Sequence, residues 1–183
     1  MIALSEGIQL YSGAFFSYTD PESSEVSIED IARALSHVCR FSGHVRHFYS
    51  VAQHAVNASF LVPPEFAYDA LMHDMSEAFT NDLPTPLKHA VPALKDLEIR
   101  IETAMAERFG FRFPLPPEVK KADLQMLLME KEELKPHAAG DWQVLDGISV
   151  TERDREVVDL TEWSPTDAYD VFMYRYGMLE QAR

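Results

Sequence analysis

The sequence lacks most features of secreted, membrane-spanning and nucleic-acid-binding proteins. Cys39 is the only cysteine among 183 residues, so the chain can form no internal disulfide, which fits a reducing compartment. No basic segment followed by an apolar run opens the sequence, and no later stretch approaches the ~20 apolar residues needed to cross a bilayer. We therefore expect a cytoplasmic protein that has no membrane partner.

Positive charge is also scarce. The chain has 16 Lys and Arg residues against 30 Asp and Glu residues, which gives a formal net charge of -14. Such a charge repels the phosphate backbone of nucleic acids, so we expect no nucleic-acid partner. A small anionic substrate would need bound cations and a few local basic side chains to reverse the sign inside its pocket.

Linkers, internal repeats and low-complexity segments are missing as well. The length of 183 residues and the hydrophobic content of 46% suit one domain with a single core. We predict one domain over residues 1–183, with an N-terminal extension at 1–26, a core at about 27–135 and a C-terminal part at 136–183 that contains a loop and a helix.

The sequence does contain a series of helix start signals. Ser27, which two acids follow, predicts a helix over 28–38, and Ser50 with Gln53 predicts one over 51–61. Proline, serine and glycine signals place further helices at 63–79, 93–109, 116–136 and 164–180, and leave a loop or a small hairpin at 138–151. The expected fold class is all-α.

An adjacent imidazole and carboxylate, His73 and Asp74, lie in the third predicted helix. The pair can coordinate a divalent ion, although these residue types at a helix surface are more often solvated. The neighbours Leu71, Met72 and Met75 cover most of the helix circumference with apolar side chains, which leaves the pair little water to face. Because a buried charge needs a partner, these surroundings favour a metal site.

Two other helices offer further candidate ligands. His54 lies on or beside the buried stripe of its helix, as a core histidine or a metal ligand. Asp123 is a solvated first-turn acid or a ligand, and the other charges of its helix cluster at 120–121 and 130–133. With the His-Asp pair they form a mixed nitrogen and oxygen donor set that suits Zn, Mn, Co, Ni or Fe(II). Glu77 follows Asp74 by three residues, on the same helical face, where a general base would act.

A longer pattern continues from the His-Asp pair. Residues 73–88, HDMSEAFTNDLPTPLK, closely resemble the HD-x-SE-x-x-T-x-DLPTP-x-K signature of the deoxynucleotidases of the HD superfamily. VAQH at 51–54 looks like the family's V-[AS]-[EQ]-H element, and KAD at 121–123 corresponds to its distal metal aspartate. The resemblance extends from about residue 28 to residue 134 and implies a helical HD domain with a metal site in its core.

The resemblance also implies roles for individual residues. Glu77 and Asp82 would arrange the nucleophile or the sugar. Arg40 matches the family's basic residue upstream of the first histidine, although its spacing is one residue shorter than in the monophosphatases. The implied cofactor is a divalent transition metal, Zn, Co or Mn, with Mg as an additional ion. The implied metal ligands are His54, His73, Asp74 and Asp123.

Four more residues are candidates for substrate contacts. Lys88, at the end of the DLPTP segment, is a phosphate contact or a solvated lysine. Arg46, in the loop 41–48, contacts a phosphate chain or belongs to an ordinary polar loop. Phe16 and Phe41 are candidates for stacking against a base, and core packing is the alternative for both.

The expected partner is a small nucleotide. The basic loop at 40–47 favours a longer polyphosphate, and the short chain with YSGAFF at 11–16 looks like the compact phage enzymes that remove dATP. We therefore place hydrolysis of dATP to deoxyadenosine and triphosphate first, in the host cytoplasm if the protein is phage-encoded. Hydrolysis of deoxynucleoside monophosphates to deoxynucleoside and phosphate is the alternative.

Other classes are less favoured than a phosphohydrolase. An HD-type di-iron oxygenase would need further ligands, for which His44, His47, His89 and His137 are the candidates. A degenerate binding module would not need the complete ligand set together with Glu77. We also expect a homo-oligomer, either a dimer or a hexamer.

Overall fold

Helices account for most of the computed structural model, which describes residues 6–135, 137 and 140–183. The sheet found among these residues is a two-stranded antiparallel hairpin of β1 (Gly7–Gln9) and β2 (Phe15–Ser17). In chain order the helices are α1 (Ile28–His37), α2 (Val51–Ala58), α3 (Ala67–Met72), α4 (Glu77–Thr80), α5 (Thr85–Ala90), α6 (Pro92–Phe109), α7 (Pro117–Leu134), α8 (Glu152–Glu156) and α9 (Pro165–Gln181). No helix in this part of the chain is both long enough and apolar enough to cross a membrane.

Local capping explains where several helices begin and end. The side chains of Ser27, Ser50 and Ser164 each accept a hydrogen bond from the backbone N–H three residues later, at the starts of α1, α2 and α9. α6 ends at Gly110, whose left-handed φ of 71° is the conformation that glycine adopts without strain. The helices predicted at 28–38, 93–109 and 164–180 are confirmed, and the one predicted at 51–61 ends three residues early, at Ala58.

The prediction of one continuous helix over 63–79 is wrong. The chain leaves α-helical hydrogen bonding between α3 and α4, where bonds span three residues instead of four; the N–H of Glu77, for example, donates to the carbonyl of Asp74 at 3.0 Å. His73 and Asp74 lie on this tightened turn. The break therefore falls on the two residues that the sequence pattern singles out.

The all-α class is confirmed, and the hairpin is an addition to it. Strands of three residues are too short for a period-two pattern to show in the sequence. The segment predicted as a loop or hairpin at 138–151 forms a short 3-10 turn, Gln143–Leu145, in its described part. Residues 138 and 139 lie outside the described residues, as does Pro136, the predicted stop of the helix that ends here at Leu134.

Two hydrophobic clusters flank α2. The larger one packs α1, α3, α6 and α9 around fully buried side chains such as Leu35, Leu71 and Phe172. The smaller one joins the far side of α2 to α7 through Tyr49 and Met126. α2 is buried at every position as a result, so a polar side chain on it has to find its partners inside the protein.

Candidate metal centre and its cavity

The structure brings the four predicted metal ligands together from three parts of the chain. His54 lies on α2, His73 and Asp74 lie on the turn after α3, and Asp123 lies on α7. The Nε2 atom of His54 is 3.3 Å from Nε2 of His73 and 3.2 Å from Oδ1 of Asp123. Oδ2 of Asp74 is 3.2 Å from the His73 Nε2 atom and 3.6 Å from that of His54. Four donor atoms therefore converge on one point.

The second nitrogen of each imidazole is bonded elsewhere. His54 Nδ1 lies 2.6 Å from Oε1 of Glu130, and His73 Nδ1 lies 2.7 Å from the carbonyl oxygen of Ala70. Because a carbonyl or carboxylate oxygen accepts, Nδ1 of each neutral ring carries the hydrogen and Nε2 presents a lone pair. Two lone pairs and two carboxylate oxygens then face one another, which is unfavourable without a cation among them. The donor set fits a divalent transition metal.

The electrostatics of the cluster favour positive charge at the same point. Burial lowers the pKa of His73, but the carboxylates of Asp74 and Asp123 outweigh it and hold that pKa well above its ordinary value. Burial raises the pKa of Asp123, yet hydrogen bonds from the two imidazoles and their charges hold it well below the usual range. A proton or a metal ion would supply the positive charge that the two carboxylates require.

Glu130 is a further member of this site that is not predicted from the sequence, where it lies among the charges at 130–133. The side chain is fully buried, and its two oxygens have different partners. Oε1 lies beside Nδ1 of His54, and Oε2 accepts from Nη2 of Arg40 at 3.0 Å. A signal was present in the spacing, since Glu130 follows Asp123 by seven residues and so lies on the same face of α7.

A cavity of about 810 Å³ opens beside the cluster, a volume within the usual range for small-molecule sites. Its described lining includes seven of the eleven predicted site residues. The predicted residues found on the lining are Arg40, Phe41, Asp74, Glu77, Asp82, Lys88 and Asp123.

Glu77 and Arg40 are both buried where they meet the cavity. Oε2 of Glu77 has no hydrogen-bond partner among the described residues, and neither has Nε of Arg40. Burial, together with the charges of Asp74 and Asp82, raises the pKa of Glu77 well above the ordinary value for a glutamate. A carboxylate with a raised pKa and an unpartnered oxygen suits a general base.

Asp82 contacts the backbone of the opposite wall. Its Oδ2 atom accepts a hydrogen bond of 2.8 Å from the N–H of Phe41. Phe41 and Ser42 both have a φ of 54°, a left-handed conformation that is strained for residues with a side chain. Asp82 thus holds the strained turn that follows Arg40 and carries the Phe41 ring on the cavity lining.

Lys88 also lies on the lining, as does Asp82, which precedes it in the chain. Its Nζ atom lies 2.9 Å from Oε1 of Glu98, a buried acid on α6. The ion pair fixes the amine near the cavity and neutralises part of its charge. Lys88 is therefore placed for a phosphate contact, although its charge is shared with Glu98.

Two predicted substrate contacts need correction. Phe16 is fully buried in the larger cluster, and its ring stacks on that of Phe79 with centroids 3.8 Å apart, so no face is open to a base. Arg46 lies outside the described lining and pairs with Glu133 at 3.3 Å in a half-exposed position. Core packing and a surface ion pair are the alternatives that the structure supports for these two residues.

Comparison with known proteins gives a family match and several relatives. The family described as YfbR-like 5'-deoxynucleotidase matches residues 27–145. The uncharacterized protein YfdR of Escherichia coli (strain K12) is 43% identical over 176 residues, which are 96% of this chain and 97% of that protein. An uncharacterized protein of Rhodobacter capsulatus is 32% identical over 124 residues, 62% of this chain and 63% of its own length.

A relative with a stated activity matches a shorter stretch. The 5'-deoxynucleotidase of Pasteurella multocida is 38% identical over 60 residues, which are 33% of this chain and 31% of that protein. The family match at 27–145 contains the whole candidate metal cluster together with Arg40, Glu77 and Glu130.

Proposed function

The chain belongs to the YfbR-like 5'-deoxynucleotidase family, an HD-domain family, and on that premise we propose that it hydrolyses deoxynucleoside monophosphates to deoxynucleoside and inorganic phosphate. The observation that carries the proposal is the convergence of two imidazoles and two carboxylates beside a nucleotide-sized cavity that also holds a buried, unpartnered carboxylate. This combination supplies a metal site, a candidate base and space for the substrate.

The residues that would hold the metal are His54, His73, Asp74 and Asp123. A bound divalent ion supplies Lewis acidity, which polarises a phosphoryl oxygen and lowers the pKa of a water molecule. Glu130 and the carbonyl of Ala70 keep both imidazoles in the tautomer whose Nε2 lone pair faces that position.

Glu77 is the proposed general base. Its unpartnered Oε2 would accept a proton from the attacking water as the new bond to phosphorus forms and the bond to the 5' oxygen breaks. The leaving 5' oxygen takes up a proton from solvent and becomes the hydroxyl of the deoxynucleoside, and Glu77 returns the proton that it accepted to solvent. Arg40 and Lys88, both on the lining, would stabilise the negative charge on the phosphate oxygens.

A monophosphate agrees with the cavity better than the dATP ranked first above. The expectation of dATP came from the short chain, the resemblance at 11–16 and the basic loop 40–47, but in that loop Arg46 pairs with Glu133, and His47 Nε2 lies 2.9 Å from the carbonyl oxygen of Leu160. Arg40 and His44 are the basic members of this loop on the described lining. The family match also supports hydrolysis of a monophosphate rather than of a triphosphate.

The test is a product analysis. Purified protein loaded with Zn, Co or Mn is incubated with dAMP or with dATP, and the products are resolved by chromatography. We expect deoxyadenosine and phosphate from dAMP, with dATP a poor substrate. Release of triphosphate from dATP at a higher rate would instead favour the triphosphohydrolase, and absence of hydrolysis of every nucleotide would contradict both assignments.

A further inference from the structure

A second part of the cavity lining has no role in the proposed chemistry. It is apolar and aromatic, and it includes Phe41, Leu127, Trp142 and Val144. Trp142 comes from the segment after α7, just before the 3-10 turn Gln143–Leu145. Cavities that bind small molecules combine such apolar walls with a few polar groups, and here the polar groups lie at the metal cluster.

A chain of contacts places Trp142 beyond the phosphate end of the cavity. Nη1 of Arg40 lies 3.5 Å from Oδ2 of Asp74 in the cluster, and Cζ of Arg40 lies 5.5 Å from the centre of the Phe41 ring. The Phe41 and Trp142 rings follow, with centroids 6.2 Å apart and planes tilted by 55°. A nucleotide whose phosphate lies by Arg40 would extend its sugar and base along this row.

The indole of Trp142 also contacts a lysine. Nζ of Lys131 lies 5.2 Å from the centre of the Trp142 ring and donates a hydrogen bond of 3.2 Å to the carbonyl of Gly140. The ring is partly exposed, and Val144, two residues later, is 59% exposed. Trp163, in contrast, packs against the core and donates its indole N–H to Asp159.

We propose that Trp142 forms a nucleobase subsite, in which the base of the substrate stacks on the indole while Phe41 fixes the tilt of the ring. The inference rests on the proposed function for the orientation of the nucleotide. Stacking on an aromatic face tolerates every base. The described lining also offers no asparagine or glutamine side chain to read a base edge, so the subsite selects for the presence of a base more than for its identity.

Kinetics with a substrate that lacks a base separate this role from a structural one. Trp142→Ala should raise the KM for dAMP about tenfold, as expected for loss of one base-aromatic stack. It should leave kcat/KM for 2-deoxyribose 5-phosphate within about twofold, because that substrate has no base to stack. Trp142→Phe, which keeps an aromatic face, should restore most of the affinity, and Trp163→Phe is the matched control outside the described lining.

An unchanged KM for dAMP in Trp142→Ala would overturn the subsite, and so would an equal loss with both substrates. A binding measurement separates this failure from that of the proposed function. In Trp163→Phe the remaining tryptophan is Trp142, and deoxyadenosine should quench its emission. Quenching without hydrolysis of dAMP would support the subsite and overturn the proposed activity, whereas hydrolysis without quenching would do the reverse.

Discussion

At the residue scale, the site depends on which nitrogen of each imidazole carries the hydrogen. Glu130 fixes this for His54, and through its second oxygen it also holds Arg40. A proposed metal ligand and a proposed phosphate-binding group are thereby tied to one buried carboxylate. Partners of this kind orient the ligand and raise its basicity, so their loss weakens metal binding without removing a ligand.

Glu130→Gln should weaken metal affinity about 10- to 100-fold, as measured by competition with a chromophoric chelator. A glutamine has one side-chain oxygen, so it can accept a hydrogen bond from only one of the two groups. Its NH2 group then faces a donor on Arg40 or on His54, and this contact is unfavourable. Glu132→Gln is the matched control, because that side chain is half-exposed and pairs with Arg155 at 2.8 Å. Wild-type affinity in Glu130→Gln would show that the carboxylate does not position the ligand.

Glu77→Gln should lower kcat for dAMP by about 100-fold or more while leaving the bound metal in place, because the amide cannot accept the proton. Elemental analysis of the same sample checks the metal content. If the variant turns over at the wild-type rate, another group activates the water.

The sequence predicted the candidate ligands because both the apolar surroundings of His73-Asp74 and the longer pattern at 73–88 mark them. Glu130 could not be recognised in the same way. Its three acidic and basic neighbours on α7 make it look solvated, and its burial depends on where α2 and the Arg40 turn pack.

At the element scale, the capped helix ends were predictable and the breaks were not. The caps at Ser27, Ser50 and Gly110 act within a few residues, so the sequence carries the whole signal. The tightened turn between α3 and α4 and the short hairpin depend on tertiary packing instead. Phe16 on β2 stacks on Phe79 of α4, and this contact joins the hairpin to the segment that follows the break.

Phe16→Ala should therefore lower the free energy of unfolding by about 3–5 kcal/mol, the usual cost of deleting a fully buried aromatic ring. Chemical denaturation measures the change. Phe15→Ala, on the partly exposed neighbour in the same strand, should cost clearly less. Phe16→Leu should leave the KM for dAMP unchanged, and a raised KM in a folded Phe16→Leu protein would restore the hypothesis of a base contact.

At the scale of the whole molecule, the metal should contribute to stability as well as to chemistry. The cluster joins α2, the turn after α3 and α7, and the chain carries a formal net charge of -14. A ligand that binds only the folded state at 100 times its Kd stabilises that state by about 2.7 kcal/mol. For a chain of this size that corresponds to a rise in Tm of about 5–10 °C.

Thermal unfolding of the stripped and the metal-saturated protein measures this shift. In Asp123→Asn the metal should raise the Tm very little, because one carboxylate is lost from the cluster. An equal shift in the variant would place the stabilising metal elsewhere.

The most direct test of the proposed metal-dependent hydrolysis is a metal titration of the stripped protein, with bound metal and phosphate release from dAMP measured on the same samples. We expect no release without metal, a rate that rises in proportion to the metal bound, and neither binding nor release in Asp123→Asn. Release of phosphate by the stripped protein at the untreated rate would contradict it.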